Sequence, residues 1–526
     1  VPTANIDRVS YLDISKKSIS DLTGIEDFTA LDTLYCQSNQ LMSLDISKNT
    51  ALEVLYCGGN PLMSLDVSKN IALEKLLCNY IDLTSLDVRA NTALEYLACN
   101  SNRLTELDLS KNIALEVLQC GSNDLMSLDL SNNTALKVLS CTKNDLKDLD
   151  VRANKAIENL DCNFNDITSL DVSKNTALTK LDCIQNALKI LDVSNCALLA
   201  SINCGYNQLT SLDLIANTAL EILFCDHCSL TSFDVSKNAN LEKLFCFEND
   251  LVSIDVSKNP ALKTFSCSDN NLTILDVSKN PALTSLKCSG NQLTSLDVSE
   301  NKALEWLECS TNQITSLDVS KNIALEWLAC SANQLTSLEV RANTDLDTLY
   351  CHFNQLTRMD VSNNTALVFL SLNNNELTSV DMKNGNNSNF TYFRATNNPD
   401  LDCIQVDNSD SSASYTNWYK DTTSKYSEDC GYSDVEEYLS FETEISVFPN
   451  PASSNIIINY KVESAGVVDF RISNSLGQKV SSRVSNYHST GEYQQQISID
   501  NLPDGLYFYQ LRSGTEVHGG KLIIEK

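Results

Sequence analysis

Basic charge is in short supply in this chain. Its 526 residues carry 38 Lys and Arg against 68 Asp and Glu, a formal net charge of −30 and a pI near 4.4. Such a surface is repelled by phosphate backbones and anionic headgroups, which argues against nucleic acid or a membrane surface as partner. No apolar run approaches the ~20 residues that span a bilayer, so no membrane insertion is expected. Histidine is scarce too. His227, His352, His488 and His518 are scattered, without metal-ligand spacing. Glycine, 15 in all, is too sparse for the Gly-rich nonapeptides of calcium-binding β-rolls. There is no phosphate-binding glycine loop, no HExxH and no G-x-S-x-G. The chain is therefore not expected to be an enzyme, or to hold a metal or cofactor. The opening VPTANIDRVS lacks an initiator Met and an apolar h-region, as in a processed or trimmed form. Hydrophobic content is 42%, enough for a folded core.

Cysteine, by contrast, is abundant and regularly placed. Sixteen of the 20 recur at intervals of 21 residues, beginning Cys36, Cys57, Cys78, Cys99, Cys120 and ending at Cys351. An internal period of this size predicts a solenoid. The copies align as L-x-x-L-x-C-x-x-N-x-L-x-x-L-D-V-S-K-N-x-A, of which LEVLYCGGNPLMSLDVSKNIA (52–72) is typical. One stretch, FCDHCSL (224–230), contains a C-x-x-C pair with His227 inside it. Read alone, it suggests a redox dithiol or half of a metal site. The register gives a plainer account. Cys225 is the tenth ladder cysteine, and Cys228 stands where other rungs carry Asn39, Asn60, Asn102, Asn123 and Asn249. In strand-and-turn geometry residues three apart lie about 10 Å from each other, too far for a disulfide.

The pattern resembles the leucine-rich repeat family over about residues 9–400, and most closely bacterial internalin J-like repeats, in which Cys replaces the third Leu. The resemblance implies a mostly β solenoid of the α/β repeat class. Its parallel sheet lies on the concave face, and its convex side is irregular or 3-10. Three further segments fit the register with Ile14, Leu372 and Ala395 at the ladder position, giving nineteen rungs and an arc on the order of 90 Å. Strand alternation points the Leu two before each Cys, and the Cys itself, inward. Equal positions on parallel neighbours stand near 4.8 Å apart, wider than a disulfide prefers, so the ladder thiols are expected to be reduced packing groups. The Asn three after each Cys is expected to bond backbone groups in its turn and in the next rung. The Asp of LDVSKN, in a row beginning Asp45, Asp66 and Asp87, is expected to cap turn N–H groups rather than bind calcium.

Past residue 400 the repeat stops. Cys403 and Cys430 lie off the 21-residue register, in a segment resembling the cap that follows leucine-rich repeats in secreted Bacteroidetes proteins. The resemblance implies a disulfide between them, and hence an extracytoplasmic setting. From 445 the charges balance, seven basic against seven acidic, so the −30 sits on the remainder. FPNP (448–451), SNSLGQKV (473–480), LPDGLYFYQL (502–511) and the closing KLIIEK resemble the C-terminal sorting domain of type IX secretion cargo (type A). Pro449, Asn450, Pro451, Gly477, Gly505, Tyr507 and Lys521 are the motif positions. This implies a small immunoglobulin-like β-sandwich, recognised by the type IX machinery, on a secreted or outer-membrane surface protein. The expected organisation is a flank and first rung (1–30), solenoid (31–400), cap (401–432), linker (433–444) and sorting domain (445–526).

Function in a repeat scaffold lies where rungs differ. The strand positions three before, one before and one after each Cys vary and point out of the sheet. They hold Tyr35, Tyr56, Tyr96, Phe224, Phe245, Phe247, Trp306, Trp327, Tyr350 and His352, with Phe353 beside them. Exposed aromatics of this kind mark partner sites. The expectation is a monomeric adhesin or protein-interaction module with its strongest patch at Trp306 and Trp327. The alternatives are a glycan-binding protein and a purely structural spacer.

Overall fold

A computed structural model describes residues 3–431, 446–462, 466–474, 480, 484–488, 491–513 and 516–526. The linker 433–444 and the motif glycine Gly477 lie outside the described residues. Two compact units are present, Val1–Cys430 and Gly431–Lys526.

In the first unit each rung contributes a strand of three or four residues with an apolar side chain, usually Leu, pointing into the core. Leu286, Leu307, Leu328 and Leu349 are fully buried and pair one above another across neighbouring strands. The Cys that follows each strand donates its backbone N–H to the next rung, as Cys57 does to the Leu77 carbonyl at 2.9 Å. The chain then turns sharply. The residue two after each Cys is left-handed although it is seldom glycine: Ser38, Tyr80, Phe164, His227 and Phe353 all have φ between 49° and 57°. This conformation is costly for a side-chain-bearing residue and persists only where neighbours hold it. The ladder Asn does so. Asn60 Nδ2 donates to the Cys57 and Cys36 carbonyls at 2.9 and 3.0 Å, and its Oδ1 accepts from Leu41 N–H at 3.1 Å. The second link runs to the preceding rung, not the next one as expected. The amide follows the Cys, and its reach is back along the stack.

The ladder thiols are buried and free. Burial pushes the thiols of Cys36, Cys99 and Cys309 up to about 12, so they are neutral, unreactive packing groups. The Asp row caps turns, with Asp45 Oδ1 and Asp66 Oδ1 accepting from Ser47 and Ser68 N–H at 3.0 and 2.8 Å.

A second asparagine ladder was not expected. The Asn of each SKN is fully buried, and Asn70 Nδ2 donates to the Ile46 and Asn49 carbonyls at 3.0 and 2.8 Å. Asn91, Asn112 and Asn133 repeat the pattern.

The solenoid is also one coil longer than the nineteen rungs read from the repeat. The sheet has twenty parallel strands, the last being Trp418–Lys420 from the cap. Trp418 fills the core position there, against Phe390, Phe393 and Tyr426. A second parallel sheet forms on the LDV side near this end, from Arg358–Asp360, Ser379–Asp381, Cys403–Gln405 and Lys425–Ser427. The cap is therefore itself a coil, and the Cys403–Cys430 disulfide, with Cα atoms 5.8 Å apart, ties its ends. Between Cys36 and Cys351 the convex side is built of turns, without helix.

The second unit has two antiparallel sheets around one core of Ile456, Ile458, Tyr460, Phe470, Ile472 and Leu522. One sheet is Ser446–Phe448, Asn455–Val462 and Gly491–Ser498. The other is Val484–His488, Gly466–Asn474, Gly505–Ser513 and Glu516–Ile524. Tyr507 is buried and its hydroxyl donates to the Pro503 carbonyl at 2.9 Å, fixing the entry to its strand.

Candidate binding surface

The strict register of the sheet decides what the variable positions do. Residues three and one before each Cys stand on the outward face, mostly half-buried or exposed, with Ala98, Ser266 and Thr348 buried among them. The position one after is half-buried in most rungs, Phe247 and His352 among them, but buried at Asp226 and Ser331, 4% and 5% exposed.

The aromatic candidates sort into three groups. Near the first rungs Tyr35 and Tyr56 lie 4.5 Å apart with Tyr11 edge-on to Tyr35, while Tyr96 stands apart from them. In the middle Phe224 and Phe245 stack at 4.5 Å. Beside them Tyr206 stacks on His227 at 3.7 Å and Phe247 meets the imidazole edge-on. The two ring nitrogens of His227 face Asp226 and Glu248 at 3.1 and 2.9 Å. Cys228 Sγ contacts the Cys204 carbonyl at 3.5 Å, the bond its ladder Asn would make, so Cys228 takes the ladder position. Among the described residues no group of three His, Cys, Asp or Glu is placed to hold a metal.

The third group is continuous. Trp306 and Trp327 stack at 4.2 Å, close to the strand spacing. Tyr350, Phe369, Tyr392 and Tyr419 carry the row on, at 5.4, 4.5, 4.6 and 6.0 Å from ring to ring. Six successive strands thus share one aromatic row. Sequence reading missed its last three members. Phe369 and Tyr392 occupy the Trp306 position in rungs without Cys, a signal that was available. Tyr419 sits in the unrecognised twentieth coil. Phe353 lies off the row, in the turn, 55% exposed and touching only His352 among the aromatics.

A polar margin accompanies the row. Lys287 Nζ sits 5.1 Å over the Trp306 ring and 3.2 Å from Glu308, which also accepts from Trp306 Nε1 at 2.8 Å. In the next rung Ala329 replaces Glu308, and Trp327 Nε1 is covered without a hydrogen-bond partner. His352 Nδ1 is shared by Ser331 and Ser371 hydroxyls at 2.9 and 3.2 Å. Burial, then the Arg394 charge, hold His352 below the ordinary imidazole range, hence neutral.

Residues 446–525 match the family described as secretion system C-terminal sorting domain. The tail is a sorting domain. It marks the chain for export by type IX secretion to the cell surface or extracellular space. No helix among the described residues is long and apolar enough to cross a membrane. The sorting domain brings its motif residues Pro449, Asn450, Pro451, Gly505, Tyr507 and Lys521 to one end of the sandwich, as the bonds from Asn450 to the Lys521 carbonyl and from Lys526 N–H to Asp504 require.

The chain as a whole is similar to the functional domain of InlJ from Listeria monocytogenes, which includes a cysteine ladder. The two are 26% identical, with a TM-score of 0.57 over 99% of this chain and 91% of that one. YopM from Yersinia enterocolitica is 21% identical, TM-score 0.64, over 80% and 92%. The ectodomain of the Arabidopsis receptor kinase HAESA, in complex with a peptide hormone ligand, is 19% identical, TM-score 0.58, over 75% and 74%. The last two share the fold alone. No curated protein sequence gives a significant match.

Proposed function

We propose that this chain is an exported, non-catalytic binding protein that engages a protein partner on the outward face of its sheet, at the aromatic row of the last six strands. The row carries the reading. Elsewhere the aromatic stacks span two or three strands, as at Tyr11, Tyr35 and Tyr56 or at Phe224 and Phe245, whereas here rings lie contiguous over six strands beside Lys287, Glu308 and Arg394. An aromatic centre with a polar margin is how interface hot spots are built. HAESA offers a precedent for a peptide bound by a solenoid of this type.

Sugar binding is the weaker reading, for a geometric reason. A pyranose stacks on a ring face, but Lys287 and Trp327 cover the two faces of Trp306, and Tyr350 and Tyr392 flank Phe369. The row offers ring edges, suited to side chains of a protein partner. A purely structural spacer has no need of the row at all.

The test uses a photoreactive residue placed at Ala329, on the row, or at the exposed Ile274, off the sheet. Exposed to proteins from the surroundings of the producing cell, the chain labelled at 329 should cross-link one defined species and the chain labelled at 274 should not. Equal capture at both positions, or a Trp-dependent hit on a glycan array, would overturn the reading.

A further inference from the structure

In an antiparallel sandwich the outward sheet face alternates to polar residues. The sorting domain breaks this rule at one corner. Leu506, Phe508 and Ile523 point outward and are 45%, 37% and 45% exposed. Leu506 pairs across strands with Ile523, and Phe508 with Lys521, so the three form one patch with a basic rim. Three stretches distant in sequence meet there: FPNP through Asn450, LPDGLYFY through Leu506 and Phe508, and KLIIEK through Ile523.

The same corner has a strand edge, and that edge is closed. Glu516–Ile524 is the last strand of its sheet, and its outward backbone groups would invite another strand. Asn450 blocks them. Its Nδ2 donates to the Lys521 carbonyl at 2.9 Å, and its Oδ1 accepts from Ile523 N–H at 2.8 Å. Ala452 continues the closure, donating to the Ile523 carbonyl at 2.8 Å and accepting from Glu525 N–H at 2.9 Å. Strand addition to this edge is therefore unavailable over Lys521–Glu525, which leaves the apolar face.

We propose that the patch of Leu506, Phe508 and Ile523 is the surface by which a protein of the export apparatus docks the sorting domain, through an apolar recess and not by adding a strand. Something must read this domain for export to occur. Its charges balance, seven against seven over 445–526, so long-range charge offers little to read, and the exposed apolar face at the meeting point of the motifs does.

The full chain is expressed in a host with type IX secretion, as wild type, as Leu506→Thr/Phe508→Thr/Ile523→Thr, and as Leu506→Val/Phe508→Leu/Ile523→Val. Threonine keeps strand propensity and removes apolar surface; the second set keeps both. The threonine variant should reach the surface or medium about tenfold less, the scale of loss when central apolar contacts are removed. The conservative variant should be exported nearly as wild type. Wild-type export of the threonine variant overturns the proposal. So does equal loss in both variants, which would report stability and not contact. If the triple variant is degraded, Leu506→Thr and Ile523→Thr singly are read the same way. Normal export with loss of a dimer in sedimentation would assign the face to a second copy.

Discussion

Two cysteines do the work of asparagine. Cys228 replaces a ladder Asn on the strand side, and Cys196 replaces a buried Asn on the other side, its Sγ reaching the Val172 and Asn175 carbonyls at 3.5 and 3.6 Å. A thiol is a weaker donor than an amide. Cys228→Asn should therefore restore the bonds made in adjacent rungs and raise stability by about 1 kcal/mol, measured from the denaturant midpoint at unchanged slope. The Asp row carries a pH dependence. Hydrogen bonds from Ser47 and Ser68 hold Asp45 and Asp66 below the usual carboxylate range, and the Arg89 and Arg152 guanidiniums hold Asp87 and Asp150 down to about 2. A folded pKa below the unfolded one stabilises above the unfolded value, near 4, and that stability is lost as pH falls through the folded value. Burial raises Asp161 and Asp269, which opposes the trend at two positions. The melting temperature should fall between about pH 4 and pH 2; a rise over that window would contradict the capping role. The strand-side Asn ladder and the Asp caps were legible because both follow from turn chemistry. The second Asn ladder was not, since SKN reads as polar surface and only coil closure shows its amides inside.

At the scale of elements, the thiol ladder and the cap share one stack but differ in chemistry. Eighteen cysteines are free, seventeen of them buried, and one pair is oxidised. Native protein should react with a thiol reagent slowly or not at all. After denaturation without reductant it should expose about eighteen thiols, and a count near zero would replace packing by a disulfide array. The strands, their register and the buried Leu and Cys were legible because a 21-residue period admits one stacking. The twentieth coil was not. Its Trp418 and Tyr419 follow no consensus, and the side-by-side strands at Arg358–Asp360 and Ser379–Asp381 arise only when consecutive LDV segments come close enough to pair.

Across the whole molecule, repeats and sorting tail describe a leucine-rich-repeat-type solenoid marked for export. Removing residues 445–526 should leave a solenoid with its seventeen buried thiols still protected but held inside the envelope; normal release of the truncated chain would deny the tail its role. The fold and the tail were both legible, while the partner is not, because a binding surface is defined by what it complements. The aromatic row itself was half legible, since rung position predicts facing but not how far rings stack. The most direct test is the affinity of the cross-linked partner, once purified, for wild type and for Trp306→Ala/Trp327→Ala. The account predicts a Kd raised roughly 30-fold or more with the melting temperature nearly unchanged. An unchanged Kd, or binding lost only because the variant unfolds, would contradict it.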